Sequence, residues 1–129
     1  MSVNKQDMSE YPARIMAFAN NPRHLGRMND PSGSAFIRGL CGDEMEFYLV
    51  IEHDIITEAK FYTNGCAYTI ACGEVAARQA EGVPINDALA ISPKQIIELV
   101  GELPQEHKHC SILAVSTLYR AIADFLLKI

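Results

Sequence analysis

The sequence predicts a single α+β domain, a three-stranded antiparallel sheet packed by several helices, and three observations predict it. Residues 44 to 52, EMEFYLVIE, alternate apolar and polar side chains with the period of two that a half-buried strand needs. Strand-like runs stand on both sides of that segment, separated from it by turn residues. Beyond residue 65 the apolar period lengthens to the roughly 3.6 of a helix, broken only where Gly or Pro intervenes.

The elements follow in order. From Tyr11 to Asn20, Ile15, Met16 and Ala19 recur at helical spacing, with Pro12 placed where a first turn tolerates it. NPRHLGRMNDPSG, residues 21 to 33, has no hydrophobic period and reads as loop. AFIRGL, residues 35 to 40, is the first strand. EMEFYLVIE is the second, with Met45, Phe47, Leu49 and Ile51 on one face. His53 and Asp54 turn the chain into IITEAKFYT, in which Ile55, Ala59 and Phe61 are expected to share a face with Thr57 and Thr63. The three strands make an antiparallel meander.

A second helix is expected to start at Cys66, with Ile70 and Val75 turned inward, and to stop at Gly82, Val83 and Pro84. Ser92, Pro93 and Gln95 supply an N-cap, a first-turn proline and a capping-box partner for a helix running to about Leu103. A last helix begins near Cys110 and carries Leu113, Leu118, Ile122 and Phe125 on its apolar stripe. Residues 1–129 form one domain, the first 20 making an N-terminal helix able to move.

Bulk properties narrow the function classes. A chain of 129 residues is about one domain's worth and can bury a sizeable core. Eleven basic against sixteen acidic residues leave a net charge of −5, the wrong sign for a phosphate backbone, so nucleic acid is not an expected partner. The longest apolar runs fall short of the ~20 residues that span a bilayer, and the polar start MSVNKQDMSE is no signal peptide, so no membrane is expected and a cytoplasmic location is.

In that compartment the four cysteines, Cys41, Cys66, Cys72 and Cys110, point to metal or sulfur chemistry rather than disulfides. A lone cysteine is most often a small buried hydrophobe. Cys66 and Cys110 differ because each stands at the predicted start of a helix, where unpaired N–H groups and the helix dipole favour a thiolate. Cys41 ends the first strand beside Gly42, which lets the backbone approach a bound group. Cys72, inside a helix after Ile70 and Ala71, faces elsewhere and is expected to pack as core. No CxxC pairs an attacking thiol with a resolving one, which disfavours a thiol–disulfide enzyme. Asp43 reads equally as a turn residue bonded to its own backbone, and His109 as a solvated helix-start histidine. His107 and Lys108 read as exposed loop, and His24 and His53 as structural or solvated.

Three separated stretches, CGD at 41 to 43, FYTNGCAYTIA at 61 to 71 and LPQEHKHCSILA at 103 to 114, resemble the IscU/NifU-type iron–sulfur cluster assembly scaffolds in order and spacing. The resemblance runs from NPR at 21 to 23 through the final helix. It implies the same α+β domain and a scaffold, not an enzyme, that builds a [2Fe-2S] cluster and hands it to apoproteins. Residues matching Cys41, Cys66 and Cys110 would accept sulfur and hold the cluster, while those matching Asp43 and His109 would give the fourth ligand or adjust release. Sulfur would come as a persulfide from a pyridoxal-phosphate cysteine desulfurase, with iron supplied separately and electrons from a donor such as a ferredoxin. A homo-oligomer is left open.

The pattern also departs from the family. The chaperone-recognition stretch, commonly Leu-Pro-Pro-Val-Lys there, is Leu103-Pro104-Gln105-Glu106-His107 here, so the resemblance does not carry over to an Hsp70-type chaperone. SGSAFIRGL lacks the family's proline and alanine before the first cysteine, and Cys72 replaces a small polar residue. Zinc-binding sulfur-transfer relatives typically carry an insertion between the second and third cysteines and lack the histidine; this chain has His109 and no obvious insertion.

The ligand chemistry is consistent with a carrier. Thiolates donate strongly to iron, whereas a carboxylate bonds an iron–sulfur centre more weakly, so one carboxylate in place of a fourth thiolate makes the site easier to vacate. The alternative is a zinc-binding sulfur acceptor using the same three thiolates with Asp43 or His109, and Zn²⁺ is also expected on those thiolates in apo or as-purified protein.

Overall fold

The computed structural model describes residues 11–40, 42–101 and 103–128. Helix α1, Ala13–Asn20, buries Ile15 completely. Pro12 stands just before it as the cap residue, at φ −56° and ψ 145°, rather than inside the first turn. The remainder of the predicted N-terminal helix, residues 1–10, lies outside the described residues.

Strands β1 (Gly33–Arg38), β2 (Glu44–Glu52) and β3 (Ile55–Thr63) form one antiparallel sheet in the order β1-β2-β3. Met45, Phe47, Leu49 and Ile51 are buried on one face, as the alternation predicts. Phe47 faces Ala35 on one side and Phe61 on the other, so the middle of the sheet is a continuous apolar row. His53 and Asp54 carry the chain round at φ 53° and 62°, the left-handed pair that a two-residue hairpin turn uses.

The expected face of β3 is corrected at its start. Val50 pairs with Glu58 but Ile51 pairs with Ile56, so the ladder has a bulge and Thr57 has no partner of its own. The extra residue flips the phase. Ile56 is fully buried, whereas Ile55 and Thr57 face out; Ala59, Phe61 and Thr63 keep the predicted inward face.

Strand β1 also sits two residues earlier than residues 35 to 40. The chain leaves the ladder at Gly39, whose N–H turns back to the Asp43 carbonyl at 2.7 Å. Helix α2, Ala67–Ala80, crosses the inner face with Cys66 as its cap residue. It is buried on nearly every side, although Ile70, expected inward, is only half-buried. Gly73 lets it approach: a Cβ there would lie 2.5 Å from the Phe61 ring. Helix α3, Ile85–Ala88, is a single turn that no sequence pattern announces.

Helix α4, Pro93–Val100, has the predicted cap, Ser92 Oγ accepting from Gln95 N at 3.2 Å. The Gln95 side chain reaches Gln79 at 3.5 Å instead. The helix stops short of Leu103 because Gly101 adopts φ +90°. A 3-10 turn, Gln105–His107, leads into α5, His109–Lys128. Residues 105–128 are long and apolar enough by length and composition to cross a membrane, beyond what the short apolar runs suggested, but half of the most apolar stretch is buried inside the fold. That burial is what a core helix shows.

The loop between α1 and β1 is pinned along the free edge of β3. Gly26 N–H donates to Phe61 O at 2.8 Å, and Phe61 N–H to His24 O at 2.9 Å. His24 is structural, its ring nitrogens 2.7 Å from Glu74 Oε2 and 3.0 Å from Glu81 Oε1. His53, in the hairpin turn, is exposed. On the outer face of the sheet, Glu46 accepts from Arg27 at 2.9 and 3.1 Å, and this holds its carboxyl below the usual range.

Candidate functional site

Pairing of β2 with β3 brings two chain turns to one end of the sheet. One is the loop of residues 39 to 43. Its base is closed by Gly39 N–H to Asp43 O at 2.7 Å and by Gly42 N–H to Gly39 O at 3.0 Å, with Gly42 at φ +91°. The other is the turn between Thr63 and Cys66, and Asn64 Oδ1 joins the two by accepting from Glu44 N at 2.9 Å. The start of α5 packs beneath them.

Asp43, Cys66 and Cys110, far apart in sequence, meet here around one side chain. Thr69, in the first turn of α2 and fully buried, donates through Oγ1 to Asp43 Oδ2 at 2.8 Å. The same oxygen lies 3.5 Å from Cys110 Sγ and 3.8 Å from Cys66 Sγ. Gly65 leaves room for this, since a Cβ there would stand 2.7 Å from Thr69 Oγ1 and 2.8 Å from Asp43 Oδ2. His109 Nε2 is 3.9 Å from Cys110 Sγ. Cys41, the remaining predicted thiol, lies outside the described residues.

Two thiols of the site differ in access. Cys110 is 1% exposed, whereas Cys66 is half-buried and lines a cavity of about 500 Å³ together with Asp43, Met16, Tyr11 and Ile70. Cys72 is fully buried, as its helical position predicts, and burial pushes its thiol far up, with Cys110 and Cys66 adding to the rise. Among the described residues no group of three His, Cys, Asp or Glu side chains stands in metal-ligand geometry. Asp43, Cys66 and Cys110 converge on a hydroxyl rather than on a common point.

Lys108 is exposed, as expected, but His107 is not a loose loop residue. Its ring stacks on Tyr68 with centroids 4.3 Å apart, and Tyr68 meets Tyr11 at 5.0 Å. The flat imidazole covers an aromatic face on α2 that the 3-10 turn brings within reach, and so anchors the approach to His109.

The sequence pattern described as the NifU-like N terminal domain matches residues 10–129. The chain belongs to this family. Among relatives of this NifU-like domain, the iron–sulfur cluster assembly scaffold protein IscU 1 of Archaeoglobus fulgidus is 36% identical over 119 residues, covering 92% of this chain and 78% of that protein. The scaffold protein IscU of Aquifex aeolicus is 35% identical over 122 residues, with the same coverage. The fold agrees too. The N-terminal NifU-like protein of Brucella abortus superposes with a TM-score of 0.77 at 20% identity, covering 92% of this chain and 96% of that one.

In this NifU-like domain the sequence reading missed Thr69. Its signal was present: a hydroxyl three residues after Cys66 shares a helix face with the residue that opens the helix. What the sequence could not show is that Asp43 and Cys110 arrive at that same face.

Proposed function

We propose that this chain is a scaffold on which an iron–sulfur cluster is assembled and from which it is handed to apoproteins. Family membership supports the general role. The observation that carries it to particular residues is the meeting of the Cys66 and Cys110 thiols with the Asp43 carboxylate around Thr69.

The cluster is cargo. Cys41, Cys66 and Cys110 would supply soft thiolates for a [2Fe-2S] unit, with Asp43 or His109 as the harder fourth donor. A site finished by a carboxylate or imidazole grips less firmly than one of four thiolates. Sulfur would arrive as a cysteine desulfurase persulfide: a scaffold thiolate attacks the outer sulfur, the donor S–S bond breaks, and the donor leaves as thiolate. Release of that sulfur as sulfide takes two electrons from an external donor such as a ferredoxin. That Cys66 is half-buried and lines a cavity supports it as the thiolate that would meet the persulfide donor.

Anaerobic incubation with ferrous iron, cysteine and a cysteine desulfurase tests the proposal. A [2Fe-2S] chromophore and Mössbauer signature are expected, lost when Cys41, Cys66 or Cys110 becomes Ser. A colourless product, with zinc retained by the anaerobically purified protein, would replace the cluster reading with that of a zinc-bound sulfur acceptor.

A further inference from the structure

Thr69 has one hydroxyl proton and three acceptors around it: Asp43 Oδ2 at 2.8 Å, Cys110 Sγ at 3.5 Å and Cys66 Sγ at 3.8 Å. The shortest contact, to the most strongly accepting atom, takes the proton. The hydrogen bond therefore ties the loop of residues 39 to 43, which carries Gly39, the exposed Leu40 and Gly42, to the buried wall of α2. Without it the Asp43 carboxylate has no other side-chain hydrogen bond among the described residues to hold it at the thiols.

We propose that Thr69 is the positioning residue that makes Asp43 an oxygen donor to the metal held by the thiolates. It uses Oδ2 and leaves Oδ1 for the metal, and it sets the carboxylate rather than the His109 ring as the non-thiolate ligand. Outer partners that orient metal-binding side chains commonly govern affinity as strongly as many direct contacts do. Thr69 suits that role because it is fully buried, its branched Cβ restricts rotation, and Gly65 opposite leaves the hydroxyl and carboxylate room to meet. The inference rests on the scaffold reading for its purpose but not for its test.

The test is anaerobic titration of the apo protein with Co²⁺, which needs neither sulfide nor a desulfurase. A failed cluster reconstitution thus leaves this test readable, and a failed titration leaves the reconstitution result standing. The sulfur-to-cobalt charge-transfer absorption counts thiolates, while the visible d–d bands respond to the oxygen or nitrogen donor. In T69V, which keeps the shape and removes the hydroxyl, affinity is expected to fall about 10-fold. The charge-transfer intensity should persist and the d–d bands should move to those of D43A. T69S should restore both wild-type affinity and bands. In a D43A background, T69V should add nothing, because the two act through one contact.

Wild-type affinity and bands in T69V would overturn the proposal. So would a T69V loss that adds fully to that of D43A, or a loss of charge-transfer intensity in T69V that T69S fails to restore, since either would mean that the residue acts on the packing around the thiols instead.

Discussion

Glu74, at the centre of α2 with no exposed side chain, accepts from the ring of His24 at 2.7 Å across a sequence gap of fifty residues. Its second oxygen takes the His24 backbone N–H at 2.9 Å, and Arg78 Nε donates at 2.6 Å. A buried carboxylate is tolerable only while its donors stay in place. Arg78→Ala is therefore expected to cost about 2 kcal/mol in a urea melt, a buried carboxylate losing one of its three donors. A loss below ~0.5 kcal/mol, the scale of an ordinary surface change, would contradict this account.

Gly73→Ala sets two effects against each other. Alanine gains about 1 kcal/mol of helix propensity over glycine. Its Cβ, however, would stand 2.5 Å from Phe61 Cδ2 and 3.1 Å from Met45 Cε, in fully buried surroundings that cannot give way cheaply. Overpacking of that kind costs about 1–3 kcal/mol. Net destabilisation is expected, seen as a lower Tm; a raised Tm would show that Phe61 relaxes.

Asp43→Ala is expected to lengthen the lifetime of the assembled cluster and slow its transfer to an apo-ferredoxin, because the readily exchanged oxygen donor at which an acceptor ligand would enter is gone; this is a rate of release, distinct from the equilibrium affinity for Co²⁺. Decay of the visible absorption after chelator addition measures this. Faster decay than in the unsubstituted protein would refute the weak-ligand argument.

Burial keeps the Cys72 thiol protonated. Iodoacetamide added to the native apo protein at neutral pH should label Cys66 and spare Cys72, as peptide mass spectrometry would show. Cys72→Ala should cost about 1 kcal/mol, roughly a methylene's worth of packing, without loss of chromophore. Loss of colour in that variant would give Cys72 a part in the chemistry.

Acid sensitivity should be traceable to Glu81. Burial alone would raise its carboxyl pKa, but the Ala59 N–H, the His24 contact, and the charges of His24 and Arg23 outweigh burial and lower it. A depressed carboxyl contributes stability that is present above its unfolded-state pKa of ~4.3 and is lost as pH falls through the lower folded value. Glu81→Gln should therefore flatten the decline of stability with acid below about pH 5. An unchanged slope would assign that decline to other carboxyls.

Much of this was legible locally. The strict alternation from Glu44 to Glu52 determined one buried face, Ser92 and Pro93 marked a helix start, and the positions of Cys66 and Cys110 followed from where periodic segments begin. The β3 bulge was not legible, because adding one residue changes the strand phase without changing composition, and only pairing with β2 shows where Thr57 is skipped. The 3-10 turn and the His107–Tyr68 stack escaped for the same reason: each is favourable only with its partner already in place.

The sequence by itself determined the order of strands and helices, the cysteines that open helices, and the membership carried by its motifs, since these depend on neighbours a few residues apart. Tertiary structure alone decided that Asp43, Cys66 and Cys110 gather around Thr69, that His24 closes over Glu74, and that Cys72 is shut away from solvent. Those outcomes arise from distances between segments twenty to fifty residues apart along the chain, which packing sets and local pattern does not encode.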